Sequence, residues 1–139
     1  MAEDRDWNAY NREVIALFRS NGGKAANGTT PLVLLTTTGA KSGLSRTNPL
    51  NYMLDGDRVI VIASKAASPT HPDWYRNLVA IPEVTVELGT EKFQARARTA
   101  EGEEHDRLFN QQAALMPYFA KYQQETTRKI PVVILERIK

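Results

Sequence analysis

Apolar residues along this 139-residue chain follow two rhythms, one of three to four residues and one of two. Trp7, Tyr10, Val14, Leu17 and Phe18 recur at helical spacing and predict an amphipathic helix over 4–20. Asn21-Gly22-Gly23 stops it, because asparagine and glycine accept the left-handed conformation of a C-cap. After a loop to Pro31, the β-branched and apolar run Leu32–Thr38 predicts a buried strand. Gly39-Ala40-Lys41-Ser42-Gly43 predicts a tight turn, and 45–54 an extended return in which Pro49 demands a sheet edge or a bulge. Asp55-Gly56-Asp57 then turns the chain into the continuous apolar strand 59–64. Pro72-Asp73 opens a short helix carrying Trp74, Leu78 and Val79, which Pro82 prevents from continuing. Val84, Val86 and Leu88 alternate with polar residues, and Phe93, Ala95 and Ala97 do so again after Gly89-Thr90, predicting a second hairpin. A third helix over 103–116 sets Leu108, Phe109, Gln112 and Leu115 on one face, and 131–135 is the last strand.

About six strands joined mostly by hairpins, with three helices, predict a single antiparallel α+β domain that closes like a barrel. No repeat or low-complexity stretch appears, and no GxGxxG follows a strand, which argues against a dinucleotide fold. The absence of cysteine excludes disulfides, thiolate catalysis and cysteine-zinc sites. His71 and His105 lack metal-ligand spacing, so no metal is expected. Hydrophobic residues make up 42% and charged residues 24%, with no apolar run of the ~20 residues a membrane span requires. The first six residues lack the order of a secretory signal, so a cytoplasmic protein is expected.

The net charge of +2 is too small to suggest nucleic acid, but its distribution is uneven. No acidic residue falls between Glu13 and Asp55, an interval that holds Arg19, Lys24, Lys41 and Arg46. A cation-bearing stretch free of carboxylates suits a small anion. Within it, Lys41 and Arg46 flank one turn; lysine offers a point charge and arginine a planar fork matched to phosphate oxygens. The two glycines are expected to let backbone N–H groups converge there, with Ser42 and Ser45 as added donors. The competing reading is a surface hairpin with two solvated cations. Lys65, after Ala63-Ser64 at the end of the 59–64 strand, is placed to join them if the hairpins are neighbours. The helix starting at His71-Pro72-Asp73-Trp74-Tyr75 offers free N–H groups and two aromatic rings, which serve equally as core or as the wall of a planar ligand.

In order, TTTGxKSGxxRxxPL, ASK, HPxWYxNL and a terminal IPVV resemble the deazaflavin-dependent nitroreductase family. The likeness runs from about Leu32 to Leu135, and three motifs in register are far more specific than any one. It implies a mostly antiparallel, six-stranded split β-barrel with an N-terminal helix and two further helices, binding reduced coenzyme F420. It divides the chain into a helix at 1–23 and a cofactor-binding core at 32–135. By position, Lys41, Arg46 and Lys65 correspond to cations that hold the cofactor phosphate, and Ser42 to the same turn. Thr47, Asn48, Pro49 and Leu50 correspond to a strand beside the deazaflavin, and Ile62, Ala63 and Ser64 to the strand facing the ring. Asp73, Trp74, Tyr75, Arg76 and Asn77 correspond to the helix start that closes the pocket. Two departures stand out. Ala40 precedes Lys41 where relatives can place a further cation. The stretch 116–122 carries Phe119 where a tyrosine hydroxyl is expected over the reacting face, which weighs against nitro-compound activation.

A deazaflavin moves hydride and resists one-electron chemistry with oxygen, while the protein supplies binding, orientation and electrostatics. The resemblance therefore implies a reductase passing hydride to an activated C=C, a quinone or a related small organic acceptor. Tyr122, Tyr118, Ser64 or water are the candidates for the accompanying proton. Two alternatives share the same motifs: an FMN-dependent split-barrel reductase, and a non-catalytic carrier of F420. Pairing into a homodimer is compatible with the sequence, and the acidic start, with Glu3, Asp4 and Asp6, disfavours attachment to an anionic bilayer.

Overall fold

In the computed structural model, which describes residues 7–25, 31–65 and 70–138, seven strands form one antiparallel sheet attended by four helices. The elements run α1 (Trp7–Ser20), β1 (Leu32–Thr38), β2 (Ser45–Asn51), β3 (Met53–Asp55), β4 (Arg58–Ile62), α2 (Asp73–Ala80), β5 (Glu83–Leu88), β6 (Glu91–Thr99), α3 (Gly102–Leu115), α4 (Tyr118–Glu125) and β7 (Val132–Arg137). The start expected for the first helix at 4–6, and parts of the loops before Pro31 and after Lys65, lie outside the described residues.

The sheet order is β2-β1-β5-β6-β7-β4-β3. β2 and β4 touch although four strands separate them in that order, so the sheet curls into a barrel that stays split between these two. β2 is an edge strand, and its Pro49 lies opposite Leu34 of β1, where a missing N–H leaves no gap in a second ladder. The extended return expected over 45–54 is two strands: β2 pairs with β1, and β3 pairs with β4.

β1, β4 and β7 are buried on both faces over most of their length, which is why these strands read as unbroken apolar runs. Val59 and Val61 of β4 and Val133 and Leu135 of β7 point into the barrel with Val33, Leu35, Val84 and Val86. Trp74 and Leu78 of α2 plug this core, while Val79, on the same helix, faces solvent. Ile60, Ile62, Val132 and Ile134 point the other way and are covered by Leu108 and Phe109 of α3 and Phe119 of α4. Leu115 does not join them as expected: it is 66% exposed at the last position of α3, and Met116 and Phe119 supply the cover instead. The helix over 118–125 was absent from the sequence reading; Pro117 initiates it where the end of α3 had been placed.

α1 lies against the barrel with Phe18 buried, while Tyr10 and Leu17 of its expected apolar face are about half exposed. Its C-terminus is fixed by Gly23, which has φ +80 and sits so close to the β5–β6 turn that a Cβ would stand 1.9 Å from the Gly89 carbonyl oxygen. A bidentate pair from Arg19 to Glu87 of β5, at 3.0 and 2.7 Å, holds the same end.

Candidate functional site

The split between β2 and β4 opens into a cleft with two lobes. One, of about 750 Å³, lies between the β1–β2 turn, the start of α2 and the face of α1 carrying Asn11, Arg12 and Ile15. The other, of about 660 Å³, lies between β2, the end of β4 and α4. Asn11, Asn48, Asp73 and Trp74 line both, so the lobes adjoin.

The first lobe is cationic. Lys41, Arg46, Arg76 and Arg12 line it, against the single carboxylate of Asp73 among the described residues. Its turn is self-contained: the N–H groups of Gly39 and Gly43 donate to the Leu44 and Gly39 carbonyls, and Leu44 N–H donates to Ser42 Oγ at 3.1 Å. Ala40 N–H donates to Asn77 Oδ1 at 3.0 Å, and Asn77 Nδ2 donates to Thr37 Oγ1 at 3.2 Å, so one α2 side chain pins the turn to the barrel. This corrects the expectation that the glycine turn gathers free amides around an anion. Most of its N–H groups are already bonded within the protein, those of Gly39, Ala40, Gly43 and Leu44. Thr47 lines the lobe beside Arg46, its Oγ1 2.7 Å from that of Thr36.

The second lobe is mainly apolar and aromatic. Pro49 and Leu50 of β2 face Ile62 and Ser64 at the end of β4. Trp74 stands at the junction, and Tyr118, Phe119 and Tyr122 of α4 form the opposite wall. The Tyr118 and Phe119 rings are 4.5 Å apart and the Tyr118 and Tyr122 rings 5.6 Å apart. The Tyr118 hydroxyl donates to Asn51 Oδ1 at 2.6 Å, tying α4 to β2 across the cleft. Burial, and then the neighbouring Tyr122, push that hydroxyl above the ordinary phenol value, so it keeps its proton through the neutral range.

The structure thus brings Lys41, Ser42, Arg46, Thr47, Asn48, Asp73, Trp74, Arg76 and Asn77 together in one lobe. Pro49, Leu50, Ile62, Ser64, Lys65, Tyr118 and Tyr122 line the other. Lys65 is therefore set apart from Lys41 and Arg46; its backbone takes φ +47 and its Nζ donates to Thr70 Oγ1 at 3.3 Å. Ala63 and Tyr75 line neither lobe. Ala63 is fully buried, and the Tyr75 hydroxyl lies 3.0 Å from Thr99 Oγ1.

A family model for F420H(2)-dependent quinone reductases matches residues 10–137. The chain belongs to that family. An F420H(2)-dependent quinone reductase of Mycobacterium tuberculosis strain H37Rv is 36% identical over 130 residues, covering 88% of this chain and 86% of its own. A solved structure described as an F420-H2 dependent reductase, FDR-A, is 42% identical with a TM-score of 0.71, over 76% of this chain and 94% of that one. Another, described as a domain-swapped dimer, is 37% identical with a TM-score of 0.73, over 94% and 98%. The antiparallel split barrel is the fold of this quinone reductase family member, with seven strands and four helices where the sequence suggested about six and three.

For a member of this family the residues that sequence reasoning missed are informative. Asn11, Arg12 and Ile15, which the sequence pattern does not single out, enter the cationic lobe from the amphipathic helix α1. Asn51 was missed because its partner Tyr118 reaches it only through α4, a helix the sequence did not reveal, whereas Phe119 lies where the sequence placed it, on the wall of the cleft.

Proposed function

We propose that this chain binds reduced coenzyme F420 along the cleft, with the phosphate in the cationic lobe and the ring in the aromatic lobe, and reduces a quinone or activated C=C. The observation that carries the reading is the junction: two adjoining lobes of opposite character meet at Trp74 and Asn48, which suits one molecule with a charged end and a flat end. Lys41 and Arg46, with Arg12 and Arg76, would hold the phosphate, and the Ser42 hydroxyl adds a donor at the same turn. Trp74, Pro49, Leu50, Ile62 and Ser64 would enclose the ring. When bound, the reduced deazaflavin supplies the hydride.

The side chains do the rest. Leu50, Ile62 and Phe119 exclude water from the ring-binding lobe, and Trp74 fixes the plane in which a ring lies. Tyr118 presents a neutral hydroxyl at the wall where an acceptor enters, with Tyr122 beside it, and these two with Ser64 are the hydroxyl groups of this lobe. Because α1 contributes to the cationic lobe, residues 7–23 and 32–135 work as one domain. The reading includes a cytoplasmic protein, in keeping with its bacterial F420H(2)-dependent relatives. Pairing of two copies rests on the domain-swapped relative and is checked by light scattering.

Mixing the purified protein anaerobically with reduced F420 and menadione tests the activity. Steady recovery of oxidised deazaflavin is expected. Tight binding of FMN without binding of F420 would overturn the cofactor, and binding of F420 with no oxidation by any acceptor would leave a carrier.

A further inference from the structure

Arg128 lies in the link between α4 and β7, outside every motif that pointed to the cleft. Its side chain nevertheless reaches the back of the ring-binding lobe. Nη1 donates to the Ala63 carbonyl at 3.1 Å, Nη2 donates to the Ser64 carbonyl, and Nη1 also meets His71 Nδ1 at 3.0 Å. Ser64 and Lys65 line the lobe from the end of β4, and His71 directly precedes Pro72 and Asp73, which line it from the lead into α2. Lys65, one residue beyond the bonded carbonyls, takes the left-handed backbone that β-sheet continuation forbids, so the chain leaves β4 abruptly where Arg128 holds it. Gln123 of α4 completes the connection: its Nε2 donates to the Arg128 carbonyl and its Oε1 accepts from Ile130 N–H, each at 2.9 Å.

We propose that Arg128 is a positioning residue for the ring-binding lobe, a clamp that ties the end of β4, the lead into α2 and the helix bearing Tyr118 and Tyr122 into one unit. An arginine suits this place because a planar fork spans two successive carbonyls and a third acceptor, which the point charge of lysine does not. The clamp has a built-in condition. An N–H of the guanidinium can bond His71 Nδ1 only when that nitrogen carries a lone pair, so His71 is neutral with its proton on Nε2. The groups facing it agree: burial, then Arg128, then Arg76 hold the imidazole below its ordinary value, with the Tyr75 ring against its edge at 5.0 Å. Residues 66–69, the remaining link between β4 and His71, carry no titratable side chain. As pH falls through that lowered value His71 gains a proton, the Arg128 contact becomes a repulsion, and the lobe loosens.

That Arg128 acts on cofactor affinity rests on the function proposed above; the clamp itself does not. Two measurements separate them. In the protein without cofactor, the His71 imidazole is followed by NMR against pH, in wild type and Arg128→Gln. Its titration should move upward in the variant, because a neighbouring cation has gone. Fluorescence titration with F420 should then show affinity weakened about tenfold in Arg128→Gln, the scale of a lost hydrogen bond to a charged group, with at most partial rescue by Arg128→Lys. In His71→Asn, whose Oδ1 accepts without titrating, the ratio of acidic to neutral dissociation constants should fall below the wild-type ratio. Ionisation of the cofactor is common to both proteins and cancels in that comparison. An unmoved His71 titration, or a wild-type ratio in His71→Asn, would overturn the proposal. Should Arg128→Gln fail to fold, His71→Asn decides alone. A wild-type protein that bound no F420 would overturn the functional reading, while the His71 titration would still decide the clamp.

Discussion

The cationic lobe is built on a hairpin turn most of whose amides are bonded and whose position is fixed by Asn77, whereas the aromatic lobe is walled by an eight-residue helix held by side chains. Tyr118 reaches Asn51 and Gln123 reaches the chain before β7; these contacts, with Phe119 in the core, place α4. Backbone-determined sites are precise and tolerate little change, while side-chain-determined walls can be altered residue by residue without disturbing the fold. The difference teaches a division of labour. On the proposed function, the phosphate end would anchor the cofactor and the α4 wall would face the acceptor.

Breaking the support of the cationic lobe has the largest expected effect. Gly23→Ala forces a Cβ to 1.9 Å from a backbone carbonyl at a left-handed position, which must push the end of α1 off the β5–β6 turn. A loss of about 2–3 kcal/mol is expected, read by chemical denaturation. Arg46→Ala comes next: F420 binding weakens by about 1–3 kcal/mol in a fluorescence titration, with the fold intact. Tyr118→Phe probes the other lobe. Losing the hydroxyl bonded to Asn51 costs about 1 kcal/mol, and steady-state kinetics should show it in acceptor turnover more than in cofactor affinity. Glu87→Gln has the smallest effect. Bonding to Arg19 lowers the Glu87 carboxyl, so its contribution is complete above the unfolded-state carboxylate value and is lost as pH falls through the lowered folded value. Because Arg19 is half exposed, only about 0.5 kcal/mol is expected, seen as a flatter acid limb in denaturation midpoints against pH.

The same contrast explains what the sequence made legible. Two-residue alternation, glycine turns and the apolar runs of β1, β4 and β7 identified the barrel because each strand carries its own pattern. Lys41 and Arg46 were legible because a short hairpin holds both ends of its turn together. Lys65 was harder: it follows a strand whose neighbours in the sheet are β7 and β3, not β2, and it lies in the other lobe. Arg12 and Arg128 were invisible as site residues, since each reaches its place only when elements distant in sequence pack. α4 was hidden because Met116-Pro117 reads as an ending, yet a proline at a helix start also begins one.

The central claim, that the charged end of the cofactor lies in the lobe of Lys41 and Arg46, is tested most directly by comparing two ligands in two proteins. F420 and the same deazaflavin lacking its phosphate are titrated into wild type and Arg46→Ala. The account predicts at least about a tenfold preference for the phosphorylated ligand in wild type, largely lost in the variant. Equal affinity of the two ligands for the wild-type protein, or a preference that survives in Arg46→Ala undiminished, would contradict it.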